Sequence, residues 1–231
     1  PTSSGLVVRR GLVQWLTPNL YASGTSWPAV LGNPYTVDAS ANVSGVATAP
    51  GGRTVMDIST AHWFTDPSGF AVSSTLSIDL WVRPSNATQT SVVYNEADNP
   101  NYNTSFTTIA LLSNANGARV QANVNNNLVV DTSSAGAYPS NSWMHLCLVV
   151  PGSGTQSCTL YWNGLSNASG SVSVTRPATT SYYGLNYSVV NASNFRGHMG
   201  DVKVYHVALD SNEVKQNYNA LALQYGRPPI A

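Results

Sequence analysis

Carboxylates capable of acid–base or nucleophilic chemistry are scarce in this chain of 231 residues, which has only two glutamates, Glu96 and Glu213. Glu96-Ala97-Asp98 is the sole Glu-x-Asp pair. At i and i+2 its two side chains would share one face of a strand, the placement a one-acid lyase or divergent hydrolase would need. Solvated loop carboxylates are the competing reading, and no second glutamate follows the pair. Glu213 belongs to another pattern: Asp210-Ser211-Asn212-Glu213 has an N-cap residue and its partner three positions on, a capping box. No Ser/His/Asp signature is present, since His62, His145, His198 and His206 lack any characteristic spacing, and no zinc-type cluster occurs.

Binding chemistry is better represented. Sugar rings present C–H faces and hydroxyl edges, so aromatic side chains beside short polar donors suit them. Twelve tyrosines and six tryptophans occur in a chain with only 9% charged residues. The candidate contact residues are Tyr182, Tyr183 and Tyr187 in one segment, Tyr102 in the Asn99–Asn103 run, and Trp63 beside His62. Ten basic residues balance ten acidic ones, so attraction to nucleic acid or an anionic membrane is not expected. No apolar run reaches a membrane span. A polar surface built from Ser, Thr, Asn and Gln points to an extracellular, cell-surface or virion-surface setting. Asn-x-Ser/Thr sequons at Asn42, Asn86, Asn103, Asn167, Asn186 and Asn191 fit that setting, as they fit chance in so Asn-rich a chain. Pro1 in place of a starting Met points to a processed product or excised fragment.

The only cysteines, Cys147 and Cys158, flank Pro151-Gly152-Ser153-Gly154. If Val150 pairs with Thr155, they face each other and a cross-strand disulfide can form; two buried free thiols are the alternative.

The elements that must hold these residues read as strands and turns, with one exception. Leu76–Pro84 alternates strictly, with Leu76, Ile78, Leu80 and Val82 on one face and Ser77, Asp79, Trp81 and Arg83 on the other. Further strands are expected at 11–16, 35–38, 54–58, 91–96, 106–113, 119–124, 128–132, 171–176 and 181–190. Asn163-Gly164 is a strong hairpin turn signal. The exception is the C-terminal stretch, where Val214, Tyr218, Leu221 and Tyr225 recur at helical spacing. The Asp210 box starts this helix, Leu209 and Val214 form a staple, and Gly226 with Pro228 and Pro229 ends it. The predicted fold is an all-β, two-sheet antiparallel jelly-roll sandwich over residues 11–226 with one short C-terminal helix. Residues 1–10 form a flexible N-terminal segment and 227–231 a tail.

Several of these stretches resemble a known family. Phe195-x-Gly197-x-Met199-Gly200-Asp201-Val202-x-Val204-Tyr205 is similar to the closing motif of laminin-G-like domains of the concanavalin A-like lectin/glucanase superfamily. Leu76–Pro84, Ser142-Trp143-x-His145 and Leu160-Tyr161-Trp162-Asn163-Gly164 resemble internal strands of that family. Relatives often hold one structural calcium ion through an acid in the closing strand. The resemblance therefore implies Asp201 as a metal ligand, with Asp57 as a second contributor. Glucanases of the superfamily use a Glu-x-Asp-x-(x)-Glu strand, and the second Glu of that pattern is missing here. The resemblance thus favours a non-catalytic carbohydrate-binding or adhesion module of a larger surface, secreted or virion-associated protein. Its partner would be a glycan or cell-wall polysaccharide. A glycoside hydrolase or polysaccharide lyase using Glu96 and Asp98, and a structural domain contacting other surface proteins, are the alternatives.

Overall fold

The computed structural model describes residues 6–21, 25–37, 46–58, 64–86, 91–98, 105–114, 117–124, 127–131, 138–176, 179–185 and 195–231. Two antiparallel sheets, nine strands each among the described residues, face one another. The first follows the order β16 (Leu165–Val174), β15 (Gly154–Trp162), β14 (Met144–Val150), β9 (Leu76–Pro84), β18 (Gly197–Tyr205), β1 (Leu12–Leu16), β3 (Ala29–Leu31). To the same sheet belong β6 (Thr54–Ile58), paired with β18, and β5 (Val46–Thr48), paired with β6. The second follows β13 (Asn127–Asp131), β12 (Gly117–Val124), β11 (Ser105–Asn114), β10 (Ser91–Ala97), β17 (Thr180–Leu185), β7 (Phe64–Thr65), β4 (Tyr35–Val37), β2 (Ser26–Trp27), with β8 (Phe70–Ala71) against β17.

The alternation read in the sequence builds the core. Leu76, Ile78, Leu80 and Val82 of β9 point between the sheets, with Val202 and Val204 of β18 and Leu146 and Leu148 of β14 beside them. From the second sheet Trp27, Tyr35, Phe64, Tyr94, Ile109, Tyr183 and Leu185 meet them. The opposite face of β9 is not wet. Ser77, Asp79 and Trp81 are fully buried, because α1 (Ser211–Leu221) lies across the outside of this sheet.

That helix starts where its capping chemistry requires. The Asp210 carboxylate accepts hydrogen bonds from the Asn212 and Glu213 backbone N–H groups at 2.8 and 2.9 Å, and Glu213 accepts one from the Asp210 N–H at 3.0 Å. Leu209 and Val214 are buried in one cluster. A 3-10 turn, Ala222–Tyr225, continues the helix until Gly226 turns left-handed at φ 69°. Trp81 stacks between Tyr225 and Tyr218, with ring centroids 4.4 and 5.5 Å away. This approach leaves no room above Gly200, where an added Cβ would sit 2.2 Å from the Tyr225 hydroxyl.

Two segments expected to be loose or trailing pack on the helix. Val8 is buried and donates its N–H to Asn217 Oδ1 at 2.9 Å, and Arg10 pairs with Glu213. In the C-terminal tail, Ile230 exchanges two hydrogen bonds with Asn219, and Pro228 accepts one from Tyr218.

The disulfide geometry expected for Cys147 and Cys158 is overturned by the register. β14 and β15 pair Cys147 with Tyr161 and Val149 with Thr159, three residues away from the pairing that would oppose the cysteines. An odd shift reverses the faces. Cys158 therefore points into the inter-sheet core and Cys147 outward beneath the helix, both as free buried thiols. Burial pushes the Cys158 thiol up to about 11 and Cys147 well above its ordinary value. Native protein is expected to react with a thiol reagent only on unfolding, and a reductant is expected to leave the urea midpoint unchanged. A midpoint that falls on reduction would contradict this.

Candidate functional site

Glu96 is taken up in a buried ion pair. It lies on the inward face of β10, opposite Thr107 of β11 and Tyr183 of β17. It is fully buried and accepts both terminal nitrogens of Arg176, at 2.5 and 2.7 Å, and the Ser181 hydroxyl at 2.8 Å. Arg176 itself is anchored to the Ser73 carbonyl at 3.1 Å. A carboxylate held bidentate by a buried guanidinium ties its two segments together. Asp98 lies just beyond the end of β10 and is exposed. The pair predicted to share a face is thus divided between core and solvent.

Asp201 sits in a bulge of β18, between Met199 opposite Val82 and Val202 opposite Leu80. Its two oxygens receive Trp15 Nε1 at 2.9 Å, Arg53 at 2.6 and 3.0 Å, and the Tyr225 hydroxyl at 2.6 Å. The guanidinium of Arg53 supplies the counter-charge here. Asp57 faces His198 across β6 and β18 rather than Asp201. Among the described residues, no group of three or more His, Cys, Asp or Glu side chains is placed to hold a metal ion.

Of the candidate aromatic contacts, Trp63, Tyr102 and Tyr187 lie outside the described residues. Tyr183 is corrected: alternation along β17 turns it into the core, where it stacks on Phe70 with centroids 5.3 Å apart. Tyr182, its neighbour, points outward opposite Ala97 and is half-buried.

That outward face of the second sheet carries a pattern that the strands could not show singly. Ser26, Thr36, Thr65, Gly184, Asn95, Thr108 and Asn123 register side by side across seven strands. Each is short and polar or lacks a side chain, while Phe64, Leu185, Tyr94, Ile109 and Ala122 register side by side in the adjacent inward row. Ser26 and Thr36 are exposed, Thr65, Thr108 and Asn123 half-buried, and Asn95 buried. The Asn95 Oδ1 has no hydrogen-bond partner among the described residues.

A recess opens on the opposite side of the molecule, where the helix ends. Arg83 at the end of β9, Asn141 and Trp143 in the segment before β14, and Tyr225 and Arg227 after the helix line a cavity of about 330 Å³. Asn141 adopts a left-handed conformation, φ 56°, which asparagine tolerates better than most residues. Its carbonyl accepts Arg83 Nε at 3.1 Å. No local signal marks this group in the sequence, where Arg83 is one member of an alternating face and Arg227 is part of a helix stop.

The two packed sheets, with a helix over one and a polar row on the other, define a concanavalin A-like β-sandwich. Residues 57–215 match a laminin-G family model described as the concanavalin A-like lectin/glucanases superfamily, and the chain belongs to that superfamily. No curated protein matches it in sequence. Among solved structures it is similar to domain 4 of AbnA, a GH43 extracellular arabinanase from Geobacillus stearothermophilus, in complex with arabinotriose. The TM-score is 0.64 at 19% identity, covering 92% of this chain and all of that domain. It is also similar to Trypanosoma rangeli sialidase in complex with sialic acid, with TM-score 0.66, 16% identity and 93% of this chain covered. Only 33% of the sialidase is matched, so the chain corresponds to a third of that protein. A heptameric SAP-like pentraxin from Limulus polyphemus aligns at TM-score 0.51 and 13% identity over 66% of this chain and 73% of that one. At these identities the likeness concerns the fold.

Proposed function

We propose that this protein is a non-catalytic carbohydrate-binding module of a larger secreted or surface protein, and that the outer face of the second sheet holds the glycan. The observation that carries this reading is the polar row across seven strands, with Tyr182 on the same face. The hydroxyl and amide groups of Ser26, Thr36 and Thr65 on one side of the buried Gly184 and Asn95, and of Thr108 and Asn123 on the other, offer donors and acceptors at strand spacing of roughly 5 Å, intervals comparable to the hydroxyls of a sugar chain. The half-buried phenol of Tyr182 supplies apolar surface for a ring face. Complexes of two similar structures with arabinotriose and sialic acid support the class of ligand. The buried pairing of Glu96 with Arg176 supports a binding role over a hydrolytic one.

Calcium has no part in this reading, since Arg53 already balances Asp201. Binding is expected to survive chelation with EDTA. The test is a glycan array followed by titration of the best ligand against Tyr182→Ala and Thr108→Val. Each is expected to weaken binding at least about tenfold, with no sugar released on incubation. Absence of binding to any plant, bacterial or animal glycan would overturn the reading.

A further inference from the structure

Charge is sparse in this protein, and among the described residues several of its cations are tied to partners. Arg10 pairs with Glu213, Arg53 with Asp201, Arg176 with Glu96 and Lys203 with Asp79, while Arg9 lies over the Trp15 ring at 4.6 Å. Arg83 and Arg227 are not among these. Neither has a carboxylate partner among the described residues, and both line the recess at the end of the helix, whose described lining contains no acidic residue.

The donors around this recess lack acceptors. Arg227 Nε and Trp143 Nε1 are buried with no hydrogen-bond partner, and Trp143 is only 4% exposed. Arg83 uses its Nε on the Asn141 carbonyl at 3.1 Å, which leaves its terminal nitrogens with only a long contact of 3.5 Å to His198 Nδ1. The terminal nitrogens of Arg83 keep capacity for acceptors that a ligand brings, and among the described residues those of Arg227 make no side-chain bond. A carboxylate brings two acceptor oxygens and no donor, and guanidinium groups match it in shape as well as charge. The cavity, about 330 Å³, falls at the small end of the roughly 300–1,000 Å³ typical of ligand sites, room for one sugar unit and its substituents. Tyr225 and Trp143, with centroids 4.7 Å apart and planes tilted by 50°, back the recess from the core side.

We propose that this recess is a second saccharide site, selective for a carboxylate-bearing sugar unit whose acid group sits between Arg83 and Arg227. The proposal rests on the reading of the protein as a glycan-binding module, yet it uses the opposite side of the sandwich from the polar row. The two sites together would let one module hold a neutral stretch and an acidic unit of the same or neighbouring chains.

Calorimetric titration tests it with three probes: an oligogalacturonate, the same oligosaccharide with its carboxyl groups reduced to alcohols, and a sulfated neutral oligosaccharide. Wild-type protein is expected to bind the first at least about tenfold more tightly than the second, with affinity falling as salt rises. Arg227→Gln, at a chain end, and Arg83→Gln are each expected to lose about tenfold for the acidic probe. Lys215→Gln, which removes a cation outside the recess, is expected to leave that affinity unchanged. Equal binding of the native and reduced probes, or no response to either arginine variant, would overturn the proposal while leaving the module reading intact. Tighter binding of the sulfated probe than of the uronate would overturn the choice of carboxylate. Failure to bind any saccharide would instead sink the module reading itself.

Discussion

Replacing Asp79 with alanine is expected to destabilise the protein by about 3–5 kcal/mol, the range seen when one partner of a buried ion pair is removed. Asp79 stands at the centre of β9 with its carboxylate fully buried beneath the helix. Lys203 Nζ, His145 Nε2 at 2.9 Å and Asn217 Nδ2 at 3.1 Å converge on its two oxygens. Asn217 also donates to the Tyr205 hydroxyl at 2.9 Å and accepts the Val8 N–H at 2.9 Å. One carboxylate thus joins the sheet, the helix and the N-terminal segment. Its loss strands the Lys203 ammonium, which has no exposure to water. Urea denaturation checks the magnitude. The double variant Asp79→Leu with Lys203→Met is expected to recover much of the loss, because two apolar side chains replace the pair without leaving a bare charge. If the double variant is as unstable as the single, the stranded-charge explanation is wrong.

The same carboxylate gives a pH dependence with a defined sign. Burial opposes its ionisation, but Lys203 and His145 outweigh that and hold it well below the usual carboxylate range. The unfolded chain then binds more protons in acid, so stability is fully present above about pH 4 and falls as pH drops below it. Asp79→Asn is expected to lose that acid-side slope along with its baseline stability.

Glu96→Ala is the second large effect, again about 3–5 kcal/mol, because Arg176 is left at 4% side-chain exposure without its partner. Here the informative measurement is double. The urea midpoint is expected to fall sharply, while glycan affinity at the outer face of the second sheet changes less than about threefold. A hydrolase or lyase using Glu96 would behave in the opposite way. A detectable activity in wild-type protein, abolished in Glu96→Gln with stability retained, would restore the enzymatic reading.

Interactions between near neighbours in the chain are legible in the residue order itself. The capping box at Asp210 and Glu213, the staple of Leu209 and Val214 and the left-handed Gly226 each span only a few residues, and each forms as the sequence implies. Asn163 and Gly164, at φ 51° and 78°, turn where their backbone preferences dictate. The alternation of β9 correctly placed Leu76, Ile78, Leu80 and Val82 in the core. The family could be recognised because its motifs are such local runs.

Features that depend on partners distant in the chain were settled by packing. Alternation says that Asp79 and Trp81 share a face, but not that a helix more than 130 residues later will bury it. Register across β14 and β15 was set by pairing with β9 and β16 on either side, and its three-residue offset separated Cys147 from Cys158. Tyr182 and Tyr183 are adjacent and chemically alike, yet a strand must send one outward and the other inward. Arg83 and Arg227 are 144 positions apart and line one recess only because the helix folds back over the first sheet. Residue patterns alone specify a β-sandwich closed by a capped helix. Which side chains face a ligand was left to long-range pairing, because a strand's two faces are equivalent until something covers one of them.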